Sequence, residues 1–284
     1  MSKHRSLLVV LLGLLILGVS GCASQPASGE ITGMEGDLSI FVFILVGFLA
    51  QIIDGALGMA YGVSSNSFLL GIGVPPAAAS ASVHMAEVVT TAISGFSHWR
   101  LGNMDSKLVK TLLIPGALGA ILGAYILTNA PGNLLKPFIA VYLLIMGVII
   151  LAKGFRREHK EQTEVKHMSV LGVVGGFFDA IGGGGWGPIV TSTLVARGIN
   201  PRMTIGSVNF SEFFITFAQS VVFVFTLQFG LYWKVILGLL IGGAVAAPLA
   251  ALVTKRLPLR PLLLLVGTLI IVLSIRTLYL ALAG

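Results

Sequence analysis

The chain has 284 residues, 56% apolar and 10% charged, with 36 Gly, one Cys and a formal charge of +7. A soluble domain carries about a quarter charged residues, so a water-soluble enzyme and a nucleic-acid binder are excluded, and the single Cys excludes a disulfide scaffold. Apolar runs long enough to span a bilayer recur along the chain, which marks a polytopic membrane protein whose positive charge belongs in its loops.

Met1 to Arg5 is basic, Leu7 to Val19 is apolar, and Val19-Ser20-Gly21-Cys22 resembles a bacterial lipobox. The 13 residues from Leu7 to Val19 rise roughly 20 Å as a helix, short of a hydrocarbon core of about 30 Å. Residues 1–22 therefore read as a signal peptide. It ends either in cleavage and lipidation at Cys22, or in processing elsewhere or retention as an anchor. The polar stretch 23–37 is expected outside the cytoplasm.

Ten apolar segments follow, at about 38–57, 61–73, 77–98, 108–128, 135–152, 168–183, 187–199, 203–226, 232–253 and 261–283. The second and seventh are too short for an upright span. Each follows its predecessor through a Gly-rich break, DGALGMAYG and DAIGGGGWG. Such breaks are tolerated where backbone lines a cavity inside protein, and each pair reads as a helix and half-helix hairpin.

The ten segments are two copies of five. Sliding the chain by 125 residues aligns 47–91 with 172–216 without a gap, and 12 of the 45 positions are identical, among them Asp54/Asp179, Gly73/Gly198, Pro76/Pro201, Glu87/Glu212 and Thr91/Thr216. Identity falls on acids, Gly and Pro rather than on interchangeable Leu, so the repeat is genuine. Beyond the leader, 13 of 16 Lys and Arg lie near 100–110, 153–166, 197–202 and 255–260. All four sites fall on one side if the copies have opposite orientations. The expected fold is thus an all-α polytopic membrane protein of two inverted repeats, 38–152 and 168–284, each a broken hairpin plus three transmembrane helices. The linker 153–167 is cytoplasmic and both termini are external.

Four acids after the leader fall within apolar segments: Asp54, Glu87, Asp179 and Glu212. An ionisable group in hydrocarbon is costly, and these recur in both copies beside the breaks, which makes them candidates for coupling ions. His84 sits three residues before Glu87 on one helical face, with Asn209 before Glu212 in the mirrored place, and His84 joins Glu87 as a candidate proton relay. Half-helices starting at Gly62 and Pro188 would offer unpaired N–H groups and a favourable dipole to an anion. Ser64, Ser65 and Asn66 in one copy, and Thr191 and Ser192 in the other, add short polar side chains there. Gly183, Gly184, Gly185 and Gly187 allow close backbone approach, and Tyr61 and Trp186 either wall the pocket or pack. No catalytic triad, zinc motif, P-loop or Cys cluster is present, so neither cofactor nor metal nor enzymatic activity is expected.

The stretch DAIGGGGWGPIVTSTLVARGINP followed by TIGSVNFSEFFIT, with its looser counterpart DGALGMAYGVSSNSFLLGIGVPP, resembles the sulfite exporter TauE/SafE family. The resemblance covers about 38–283. It implies passage of a small sulfur-containing anion, such as sulfite, a sulfonate or thiosulfate, across the cytoplasmic membrane, driven by an ion gradient. The lipobox-like leader departs from that pattern and bears on N-terminal processing.

The leading reading is a secondary transporter with the anion at the half-helix N-termini and a proton or sodium ion on the acids. A cation carrier that binds its substrate on the four carboxylates is the alternative, and an intramembrane enzyme or assembly factor comes from a different class. Membrane lipid surrounds the protein in each case, and a homo-oligomer is compatible with all three.

Overall fold

The computed structural model describes residues 37–57, 59–155, 167–227, 232–253 and 259–283. The leader, Cys22 and most of the expected linker lie outside the described residues.

Among the described residues every regular element is helical. The first copy comprises α1 (Asp37–Leu57), the half-helix α2 (Tyr61–Gly71), α3 (Pro76–Arg100), α4 (Ser106–Asn129) and α5 (Gly132–Phe155). The second comprises α6 (Met168–Gly182), a π-helical turn (Trp186–Thr191) continuing into α7 (Ser192–Ala196), then α8 (Pro201–Thr226), α9 (Trp233–Val253) and α10 (Leu259–Ala283). The boundaries match the apolar segments with two corrections. The half-helices begin at Tyr61 and Trp186 rather than at Gly62 and Pro188, and α5 runs to Phe155. Pro188 is therefore the third residue of its half-helix, still among the positions whose N–H has no intrahelical partner.

Four helices, Ser106–Asn129, Gly132–Phe155, Pro201–Thr226 and Leu263–Ala283, are long and apolar enough to cross a membrane. Large apolar side chains cover the outside, as lipid solvation demands, while a set of polar side chains is buried within the apolar core. Phe225 and Phe138 are 85% and 72% exposed, whereas Ser65, Ser80, His84 and Gln219 are fully buried.

Several of the identities between the copies have the same structural job twice. Gly73 and Gly198 both adopt positive φ after a half-helix (97° and 79°), where L side chains are strained. Their neighbours Val74 and Ile199 donate back to the carbonyls of Leu69 and Leu194, a further identical pair. Pro76 and Pro201 open α3 and α8. Thr91 and Thr216 return their hydroxyls to the carbonyls of Glu87 and Glu212, at 2.5 and 2.8 Å.

Helix packing pairs up across the copies in the same way. α1 lies against α9 through Gly47 and Leu239, and its counterpart α6 lies against α4 through Gly172 and Leu112. α3 packs on its own counterpart α8, with Gly95 against Phe210 and His84 against Phe223. α5 packs on α10, with Gly147 against Ile270 and Gly154 against Leu264. In both of these pairs residue numbers rise along one helix as they fall along the other. The helices of these two pairs thus run antiparallel to each other.

Candidate functional site

The two breaks cross each other backbone to backbone. A Cβ on Gly62 would lie 2.5 Å from the Gly183 carbonyl oxygen and 2.6 Å from Gly184 Cα, so only Gly permits this approach. Asn66 Nδ2 donates to the Gly182 carbonyl at 2.5 Å, and Tyr142 Oη donates to that of Gly184 at 3.0 Å. The buried backbone of the second break is therefore held by α2 on one side and α5 on the other.

Each half-helix is capped by the aspartate seven residues before it. Tyr61 N donates to Asp54 Oδ1 at 3.3 Å. In the second copy Gly185 N and Trp186 N donate to Asp179 Oδ1 at 2.7 and 2.9 Å. The sequence reading offers these N–H groups to a ligand. In the structure the protein's own carboxylates take them, because an acid at the end of the preceding helix reaches the positive end of the next.

Asp179 has two further donors. Its Oδ2 lies 3.1 Å from His84 Nε2 and 2.8 Å from Gln219 Nε2. Four donors on one carboxylate is the bonding pattern of its ionised form. His84 is oriented from the far side of its ring: Nδ1 lies 2.8 Å from the Ser80 carbonyl oxygen, and Ser80 Oγ itself donates to the Ala180 carbonyl. A carbonyl only accepts, so Nδ1 carries a hydrogen and Nε2 is the atom free to gain or lose one. Phe223 stacks on the imidazole with ring centroids 6.1 Å apart. Glu87 Oε2 stands 3.6 Å from the same Nε2 and has no hydrogen-bond partner. His84 thus faces one carboxylate from each copy.

The other sequence candidates divide into donors and packing groups. Ser64, Ser65 and Thr191 are buried hydroxyls without a partner, as is Ser67, and Asn66 Oδ1 is likewise unpaired. Tyr61 and Trp186 are packing groups. Tyr61 Oη donates to the Leu239 carbonyl, Trp186 Nε1 donates to that of Val208, and both rings are buried. Gly187 sits inside the π-helical turn, and Ser192 lies beside Met59. Asn209 Nδ2 donates to Ser94 Oγ at 3.0 Å rather than to an acid. Glu212 is partly buried on α8.

Sequence reasoning missed Gln219, Ser80, Tyr142 and Ser94. Gln219 shares its apolar segment with Asn209, and its counterpart at the 125-residue offset is Ser94, so the identity scan passes over it. The polar–polar correspondence was the available signal.

Residues 43–277 match the family described as Sulfite exporter TauE/SafE. Among relatives, the probable membrane transporter protein YtnM of Bacillus subtilis (strain 168) is 45% identical over 248 residues, covering 84% of this chain and 82% of that protein. The probable membrane transporter protein ORF9 of Sinorhizobium sp is 27% identical over 85% of this chain and 92% of its own length. The probable membrane transporter protein YdhB of B. subtilis is 26% identical over 60% and 71% respectively. No solved structure matches. Apolar spans, a repeat built on broken hairpins and a match over most of its length place the chain in the sulfite exporter TauE/SafE family of multi-pass membrane transporters.

Proposed function

We propose that the protein is a secondary transporter of a small sulfur-containing oxyanion such as sulfite, coupled to protons and built as two inverted repeats in the cytoplasmic membrane. The 153–167 linker is cytoplasmic and both termini are external. The observation that carries this reading is the crossing of the breaks. There, buried hydroxyls of Ser64, Ser65, Ser67 and Thr191 have no partner, and a titratable His84–Asp179 pair joins the copies. Hydroxyls are donors that an oxyanion accepts, and a buried polar group without a partner is costly unless a ligand or water fills the need.

The repeat is chemically unequal at one place, and this gives the coupling. The side-chain donors on Asp179 are His84 and Gln219; at the 125-residue offset their counterparts are Asn209 and Ser94. Those two bond each other instead, and among the described residues the partner of Asp54 is the Tyr61 N–H. Alternating access exchanges the conformations of the two copies, so in the opposite-facing state Asn209 and Ser94 turn to Asp54 while His84 leaves Asp179. An imidazole can take up a proton and an amide cannot. A proton is held on Nε2 between Asp179 and Glu87 in one state only, which ties its movement to the conformational change.

Proteoliposomes loaded against an imposed pH gradient, with radiolabelled sulfite outside, test this. Accumulation that follows the pH gradient and not a sodium gradient is expected. Uptake of a metal cation without sulfite flux would replace this reading with the cation carrier, and accumulation under sodium alone would move the coupling ion.

A further inference from the structure

Lys153 is a cation for which the described residues supply no anionic partner. It lies in the last turn of α5, and its ammonium turns back toward the second half-helix. There Nζ donates to Ser192 Oγ and lies 3.3 Å from Met59 Sδ. Ser192 Oγ is itself 3.9 Å from that sulfur, and both residues are 9% exposed. Lys153 therefore joins the break of the first copy to the half-helix of the second.

An ammonium has three donors and accepts nothing, and a thioether is a weak acceptor. Among the described residues the ion pairs within 4 Å are those of His84, with Glu87 and Asp179, and none involves Lys153. A cation of the other copy, Arg276 on α10, is fully explained by its partner. Its guanidinium donates to the Gly71 carbonyl at the end of α2, where unpaired carbonyls and the negative end of the helix dipole call for a positive group. Lys153 does not do this: it bonds a hydroxyl on Ser192, short of the last turn at Ala196. Next to Ser192, Thr191 Oγ1 is buried and unpartnered, so donors continue from the ammonium toward the crossing. A charge drawn in among neutral groups is compensated when an opposite charge joins it.

We infer that Lys153 and Ser192 form an oxyanion-binding site at the linker end of the bundle, where the substrate is held before or after it passes the central crossing. The inference rests on the anion reading of the protein. The anion accepts from Nζ and from the Ser192 hydroxyl.

Radiolabelled sulfite flux in proteoliposomes of defined orientation, started from each face in turn, separates the possibilities. Lys153→Gln is expected to raise KM on the linker face by roughly 10-fold or more, the range for a hydrogen bond to a charged group, with kcat within about 2-fold. Lys153→Arg is expected to keep KM within about 3-fold, since the charge is retained. A second measurement is independent of transport. Sulfite should raise the Tm of detergent-purified wild type and Lys153→Arg, and should not raise that of Lys153→Gln. Unchanged KM in Lys153→Gln overturns the inference. So does an equal loss of kcat in both variants with KM intact, which would make Lys153 a packing residue. If wild type moves no sulfite from either face, the anion reading itself fails, and the two failures are told apart by the wild-type control.

Discussion

Asp179→Asn and Asp179→Ala should have opposite consequences, and the difference follows from the four donors that meet on this carboxylate. Alanine leaves Gly185 N, Trp186 N, His84 Nε2 and Gln219 Nε2 without an acceptor. A buried donor stripped of its partner costs about 1–3 kcal/mol, and breaking a buried charged pair about 3–5 kcal/mol, so the alanine variant should lose most of its stability. Asparagine keeps an oxygen where Oδ1 caps the half-helix and places an NH2 where Oδ2 was. Neutral His84 Nε2 accepts from that NH2. Gln219, whose Oε1 is buried without a partner, turns its amide to accept as well. Every contact is restored, the net cost is within about 1 kcal/mol, and His84 is fixed in its neutral state. Asp179→Asn should therefore elute and melt as wild type, carry out sulfite exchange down a gradient, and fail to accumulate sulfite under an imposed pH gradient. Counterflow and gradient-driven uptake in the same proteoliposome preparation make the comparison. Uphill accumulation equal to wild type would refute the assignment of the proton to the His84–Asp179 pair. Loss of exchange together with accumulation would refute the separation of coupling from substrate binding.

Glu87→Gln should leave Tm within a few degrees, because Oε2 gives up no hydrogen bond, yet slow gradient-driven uptake by removing the second carboxylate at His84 Nε2; stability and initial rate are read together. Ser65→Ala removes a fully buried hydroxyl with no protein partner, so sulfite KM should rise by roughly 5-fold or more while the melting curve stays put. Gly62→Ala should stop the breaks from crossing, since its Cβ meets backbone of Gly183 and Gly184 that cannot step aside; a variant that is inserted, monodisperse and transporting would contradict the close approach. A Lys160→Cys probe in a Cys22→Ser background should resist a membrane-impermeant maleimide added outside intact cells; labelling would reverse the orientation.

The sequence by itself determined the spans, the repeat and the breaks, because each rests on local chemistry. Apolar runs partition into lipid, Gly interrupts helices, and identities at a constant offset expose duplication without any contact being known. The capping was missed: the half-helix N–H groups were read as free for an anion, although Asp54 precedes Tyr61 by seven residues, as Asp179 precedes Trp186, and a carboxylate at that distance closes on the next helix start. Who meets whom at the centre was decided by tertiary structure alone. His84 and Asp179 are 95 residues apart and lie on different copies, and Gln219 reaches the same oxygen from 40 residues away. No periodicity or motif links these three, since nothing local obliges them to touch. The packing of α3 on α8 and of one break over the other brings them together. It also leaves their counterparts Asn209 and Ser94 bonded to each other, so the two copies are unequal at their centre.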